Sequence, residues 1–128
     1  MSSIEKIICI KVMMKVITYA ANEIAKFNED YAKKLEGLND IIEWKVGKDL
    51  NFYTEIKDGK ITSGEGIKQN PTLTFEINDL DLALKLLTGR EDFENLGEKA
   101  KIIGDDKKRE KLTFILDTIK DYLGDLTK

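Results

Sequence analysis

Carboxylates are the only plentiful reactive groups in this chain. Asp79, Asp81, Glu91, Asp92, Glu94, Asp105 and Asp106 lie close enough in sequence to be weighed as acid–base pairs or as oxygen ligands for Mg²⁺ or Ca²⁺. Most of them fall where helices are expected to begin, and there capping and the helix dipole account for them without any reaction. The rest of the inventory removes the common chemistries. There is no His, one Cys (Cys9) and only two Arg (Arg90 and Arg109) in 128 residues. Ser-His and Cys-His nucleophiles are therefore excluded, as is a soft-metal site built from His or Cys clusters. Gly64-Glu65-Gly66 lacks the longer glycine pattern that cradles a phosphate ahead of a helix. The expectation is a protein that is not an enzyme and carries no cofactor or metal.

Charge and size narrow the classes further. A net charge of −3 gives no basic face for a phosphate backbone, so no nucleic-acid partner is expected. With 41% apolar and 35% charged residues, the chain has the balance of a folded protein, and its length suits a single domain over residues 1–128. A lone Cys cannot form an internal disulfide, which fits a reducing, cytoplasmic location. Lys6, Lys11, Lys15, Glu23 and Lys26 interrupt the apolar first 27 residues, so neither an anchor nor a cleaved leader is expected there.

The elements that must position any site can be read from periodicity. Ile10, Met13, Met14, Ile17, Ala20, Ala21, Ile24 and Phe27 share one face of a helix, with Lys11, Lys15, Thr18, Asn22 and Lys26 on the other. Ser2 and Glu5 match a capping box, which places the helix start at the N-terminus. In that helix Ile4, Ile7 and Ile8 fall above the lysine-bearing face. They form either a separately packed first turn or a stripe for a second copy of the chain.

Residues 28–36 read as a short helix closed by Gly37. The period then changes to two. Ile42, Trp44 and Val46 form one strand, and Leu50, Phe52, Thr54 and Ile56 a second, joined by Gly47-Lys48-Asp49. Asp58-Gly59 predicts a two-residue hairpin into a third strand over 60–66. Leu73, Phe75 and Ile77 give a fourth, which the alternation places in an antiparallel run with the others. Asp79 caps a leucine-rich helix (Leu80, Leu82, Leu84, Leu86, Leu87) stopped by Gly89, apolar around nearly its whole circumference and so covered on most sides. Asp92–Gly97 suggests a further helical turn, Lys99–Ile103 a fifth strand, and residues 106–123 a terminal helix capped by Asp105 and ended by Gly124. The order, helices, a four-strand antiparallel run, helix, strand and helix, predicts an α+β layer arrangement.

The inward-facing surplus includes Trp44, Phe52, Phe75, Ile77, the leucine helix, Phe93, Leu96 and the terminal helix stripe. On residues alone it fits either an ordinary filled core, the simpler reading, or a lipid cavity.

Three segments carry a resemblance. Asn70-Pro71-Thr72-Leu73-Thr74-Phe75-Glu76-Ile77, then Leu84-Lys85-Leu86-Leu87-Thr88-Gly89-Arg90, then Lys99-Ala100-Lys101-Ile102-Ile103-Gly104-Asp105 follow one another in an order that resembles the sterol carrier protein type 2 domain family. The Phe52–Lys60 hairpin and the terminal helix fit the same plan, so the resemblance covers roughly residues 24–124. The N-terminal part, residues 1–23, would then be an extended amphipathic helix added to a sterol-carrier-protein-like domain.

The resemblance implies an α+β fold with a five-stranded, mostly antiparallel sheet covered by helices, and an apolar tunnel between them that holds a fatty acid, acyl-CoA, sterol or isoprenoid chain, for binding or transfer, without a reaction. It makes Leu84, Leu87, Phe93, Leu96, Phe114, Ile115 and Ile119 candidate walls, Phe75 and Ile77 the floor, and Lys85, Arg90 and Lys99 rim contacts for an anionic head. The resemblance implies a lipid ligand and a transient membrane contact, and the Ile4, Ile7 and Ile8 stripe of the N-terminal helix adds a homodimer as an expected partner. The competing reading is a non-catalytic interaction or dimerisation module of the same fold with a filled core.

Overall fold

The structure, a computed structural model, describes residues 1–48, 50–93 and 96–126, with the backbone alone at residues 125 and 126. Asp49 of the expected hairpin loop and the carboxylate candidate Glu94 lie outside the described residues. The helices are α1 (Ser3–Phe27), α2 (Glu29–Glu36), α3 (Leu80–Leu87) and α4 (Asp106–Leu126). The strands are β1 (Asp40–Val46), β2 (Leu50–Lys57), β3 (Lys60–Glu65), β4 (Leu73–Ile77) and β5 (Lys101–Gly104).

The strands form one sheet in the order β3-β2-β1-β4-β5. Neighbours are antiparallel except β1 and β4, which run parallel with Trp44 opposite Phe75. The four strands from β1 to β4 are therefore not one antiparallel run. β3 and β4 point the same way, so residues 66–72 must carry the chain back across the sheet. Lys68 marks their route, pairing with Glu55 at 3.6 Å and lying 5.0 Å from the centre of the Tyr53 ring. Tyr53 and Glu55 alternate with the buried Phe52, Thr54 and Ile56 along β2, so the crossing runs over the face away from the helices.

Local chemistry fixes the elements. Ser2 and Glu5 form a reciprocal capping box on α1, and Asn28 caps α2 by accepting from the Tyr31 N–H. Asp58 and Gly59 both take positive φ, as a tight hairpin with right-handed strand twist requires. Gly104 has φ 138°, and a side chain there would run into the Thr72 carbonyl, so β5 closes against β4 only with glycine. Two boundaries differ from expectation. Gly124 lies inside α4, and the residues described between Asp92 and Gly97 are not helical. Tertiary partners take over there: the Phe93 N–H donates to the Asp117 carboxylate and Asp92 pairs with Lys120.

Helix α1 forms a central part of the helical layer. It packs on α2, α3, α4 and β3, and Ile10, Met14, Ile17, Ala21 and Ile24 enter the core. Helix α3 lies between α1 and β4, which accounts for its broad apolar surface. The expected polar face of α1 is not simply solvated. Thr18 is buried, and Lys15 and Asn22 bond the backbone of β3. Phe27, expected on the core stripe, is 88% exposed, because the helix ends at that residue. On the opposite side of the layer the Tyr31 hydroxyl donates to the Ile115 carbonyl at 3.2 Å, tying α2 to α4, and burial pushes its phenol well above the usual range.

Candidate functional site

Five of the carboxylates weighed for chemistry are held in structural duties. Asp79 accepts from the Asp81 N–H at 2.9 Å and Asp105 from the Lys107 N–H at 2.9 Å, each opening a helix. Asp81 pairs with Lys6 at 2.9 Å, Glu91 with Lys99 at 3.8 Å, and Asp92 with Lys120. The buried Asp40 accepts from the Thr72 hydroxyl and the Lys108 ammonium, and the buried Glu43 accepts from the Thr74 hydroxyl. Among the described residues no group of three or more His, Cys, Asp or Glu could hold a metal ion.

The apolar layer between sheet and helices is the remaining candidate. Its floor is built by the parallel pair β1–β4, which sets the Trp44 and Phe75 rings stacked with centroids 4.6 Å apart. The Trp44 indole N–H donates to the Thr54 hydroxyl across to β2 at 2.9 Å, so the buried ring has no unmet donor. Leu86 and Leu87 of α3 and Ile115, Leu116 and Ile119 of α4 supply the opposite wall. Phe93 fills the space between: its ring meets Trp44 and Phe75 edge-on, at 5.7 and 5.9 Å between centroids.

The structure thus brings Phe75, Ile77, Leu87, Phe93, Leu96, Ile115 and Ile119 into one cluster, none more than 3% exposed. It does not bring Leu84 or Phe114 there. Leu84 is half-buried in an open groove of about 600 Å³ between α1 and α3, together with Lys85 and Arg90. Phe114 is 41% exposed, beside a groove between α2 and α4, with the Lys34 ammonium 3.7 Å from its ring centre. Lys85 and Lys99 also face a shallow polar depression with Glu91, on the outer side of α3.

Among the described residues, the crevice that enters this cluster is closed. A crevice lined by Ile17, Leu87, Phe93, Ile119, Lys120 and Leu123 has no room for a water-sized sphere. At its edge sits Lys120, whose pKa is raised by the hydrogen bond to Asp92 against the opposing effect of burial. Sequence reasoning did not single out Lys120 or Asp117, and weighed Asp92 only as one of several carboxylates. The spacing of Asp117 and Lys120 on α4 was available as a signal, but their partners lie more than twenty residues away in the chain.

No protein-family model matches the chain, and no curated protein sequence does. Solved structures do. The apo form of sterol carrier protein 2 from Yarrowia lipolytica superposes with a TM-score of 0.63 at 18% identity, covering 86% of this chain and 91% of that one. The sterol carrier protein domain 2 of Helicoverpa armigera gives 0.64 at 20% identity, covering 84% and 85%. Palmitated SCP2L2 from Aedes aegypti gives 0.50 at 14%, covering 62% and 73%. Together with the five-stranded sheet and its helical layer, these likenesses establish that the chain has the fold of a sterol carrier protein 2 domain.

Proposed function

We propose that this chain is a lipid-binding protein that takes a fatty-acyl chain between the sheet and the α3–α4 wall, in the space now filled by the Phe93 ring. The observation that carries this reading is the origin of that ring. The floor and both walls come from regular strands and helices, whereas Phe93 arrives from the irregular connection between α3 and β5. The ring can therefore leave without dismantling an element. The ammonium of Lys120, at the edge of the crevice, is placed to meet a carboxylate head in exchange for Asp92. The structural likeness to a palmitated protein of this fold supports the same assignment.

Magnitudes set the ligand class. Exposing a buried Phe costs about 1.5–3 kcal/mol, and each buried CH₂ returns about 0.8 kcal/mol. Roughly four methylenes therefore only offset the displaced ring. Association itself costs at least about 4 kcal/mol, so net binding begins near ten carbons. Long single chains are the ligands, and short acids are not.

Trp44 is the only Trp and touches Phe93. Its fluorescence should respond to fatty acids of twelve or more carbons and not to those of six. Phe93→Ala removes the displaced ring and should bind at least tenfold more tightly, whereas Phe93→Asp should lose uptake. A filled-core interaction module, the reading favoured by the closed crevice, predicts no response to any chain in either the wild type or Phe93→Ala.

A further inference from the structure

The outward face of α1 carries an apolar row that none of the described residues covers. Ile4 is 71% exposed, Ile8 54%, Val12 55% and Tyr19 69%, with Val16 half-buried between the last two. Their spacing of four, four, four and three residues puts them on one side of the helix. Val12 is central to the row and borders two open apolar grooves: about 600 Å³ on the α3 side and about 710 Å³ on the β3 side. Helix α1 is thus a ridge with a groove along each flank.

We infer that this face is the interface of a two-fold homodimer in which the α1 helices of two copies cross antiparallel at Val12. Three observations select a second copy over other occupants. A single uncharged apolar row is self-complementary under a two-fold axis, because the same side chains then face one another from both copies. The row is centred on Val12: Ile8 and Val16 lie four residues to either side and meet across the axis, with Ile4 and Tyr19 at the two ends of the row. The cations of α1 are already committed: Lys6 to Asp81, Lys11 to Glu65, Lys26 to Glu23 and Lys15 to the Ser63 carbonyl. An anionic lipid surface finds no free positive row on this helix, whereas a neutral apolar ridge with a paired polar margin is the anatomy of a protein interface.

The area is sufficient. Four side chains exposed by more than half supply roughly 400 Å² of apolar surface per copy. The groove walls raise the total across two copies above the roughly 1,000 Å² that a specific interface needs.

Sedimentation equilibrium of the full chain at micromolar to hundred-micromolar concentration should report a dimer. Val12→Glu should shift it to monomer by at least a hundredfold in dissociation constant, with an unchanged circular dichroism spectrum, since Val12 makes no core contact. In a Cys9→Ser background, Val12→Cys should form a disulfide-linked dimer under mild oxidation, whereas Phe27→Cys, more exposed but at the far end of the helix from the crossing point, should not. A wild-type monomer throughout the concentration range overturns the inference. So does a dimer that survives Val12→Glu, or flotation of the wild-type chain with phosphatidylserine vesicles that Val12→Glu abolishes while the wild type stays monomeric.

Discussion

The side-chain amide of Asn22 holds both backbone polar groups of Ile61. Its Nδ2 donates to the Ile61 carbonyl at 2.8 Å and its Oδ1 accepts from the Ile61 N–H at 3.0 Å. Ile61 lies on β3, the edge strand, whose outward backbone groups would otherwise offer a template for another strand. Helix α1 thus covers the sheet and also caps its edge, with Lys15 bonding the Ser63 carbonyl one repeat further along.

Asn22→Ala should cost about 1–3 kcal/mol, because it leaves a part-buried donor and acceptor unpaired. Urea unfolding measures the loss, and light scattering near the midpoint should show earlier aggregation than the wild type. Asn22→Asp keeps the acceptor alone and should fall between the two. Equal stability of Asn22→Ala and wild type would remove the edge-capping role.

The Trp44–Thr54 hydrogen bond should behave as a buried pair. Thr54→Val orphans the indole N–H and should destabilise by about 1–3 kcal/mol, whereas adding Trp44→Phe should recover part of that loss. A double-mutant cycle in chemical denaturation reads the coupling, and additive losses would show that the bond contributes nothing.

The capping box gives α1 a pH dependence. Hydrogen bonds from Ser2 hold the Glu5 carboxyl below its ordinary value of 4.5, so the stabilisation is fully present above that pH and is lost as pH falls through the folded value. Helical signal should therefore fray in acid in the wild type, while Glu5→Gln should show a smaller change over the same range. Identical acid profiles would count against the box.

Leu84 and Leu87 are three residues apart on α3, yet only Leu87 belongs to the closed interior. Leu87→Asp should abolish the Trp44 response to long-chain fatty acids. Leu84→Asp, at the margin of the core and facing the α1–α3 groove, should retain it. The reverse result would move the acyl site to that groove.

Much of this architecture was legible in the sequence, because period-two and period-3.6 patterns, caps and the Asp58-Gly59 turn are local signals. Seven of the nine wall and floor candidates converge because their patterns placed them inward. What was not legible depends on contacts distant in sequence. The return of β4 to lie parallel to β1 is set by residues 66–72 crossing the open face, which no alternation encodes. Leu84 and Phe114 show the same limit: a helical stripe wider than one neighbour leaves its margin residues to be decided by which helix lies beside them. The polar side chains of α1 read only as the face opposite the core stripe, and their use by an edge strand, through Asn22 and Lys15, is again a contact distant in sequence.

The central claim is tested most directly by native mass spectrometry of the freshly purified chain, followed by solvent extraction and identification of what it carried. The account predicts a stoichiometric ligand with an acyl chain of ten or more carbons, retained more strongly by Phe93→Ala. Bare protein in both forms, with no Trp44 response when long-chain fatty acids are then titrated in, would contradict it.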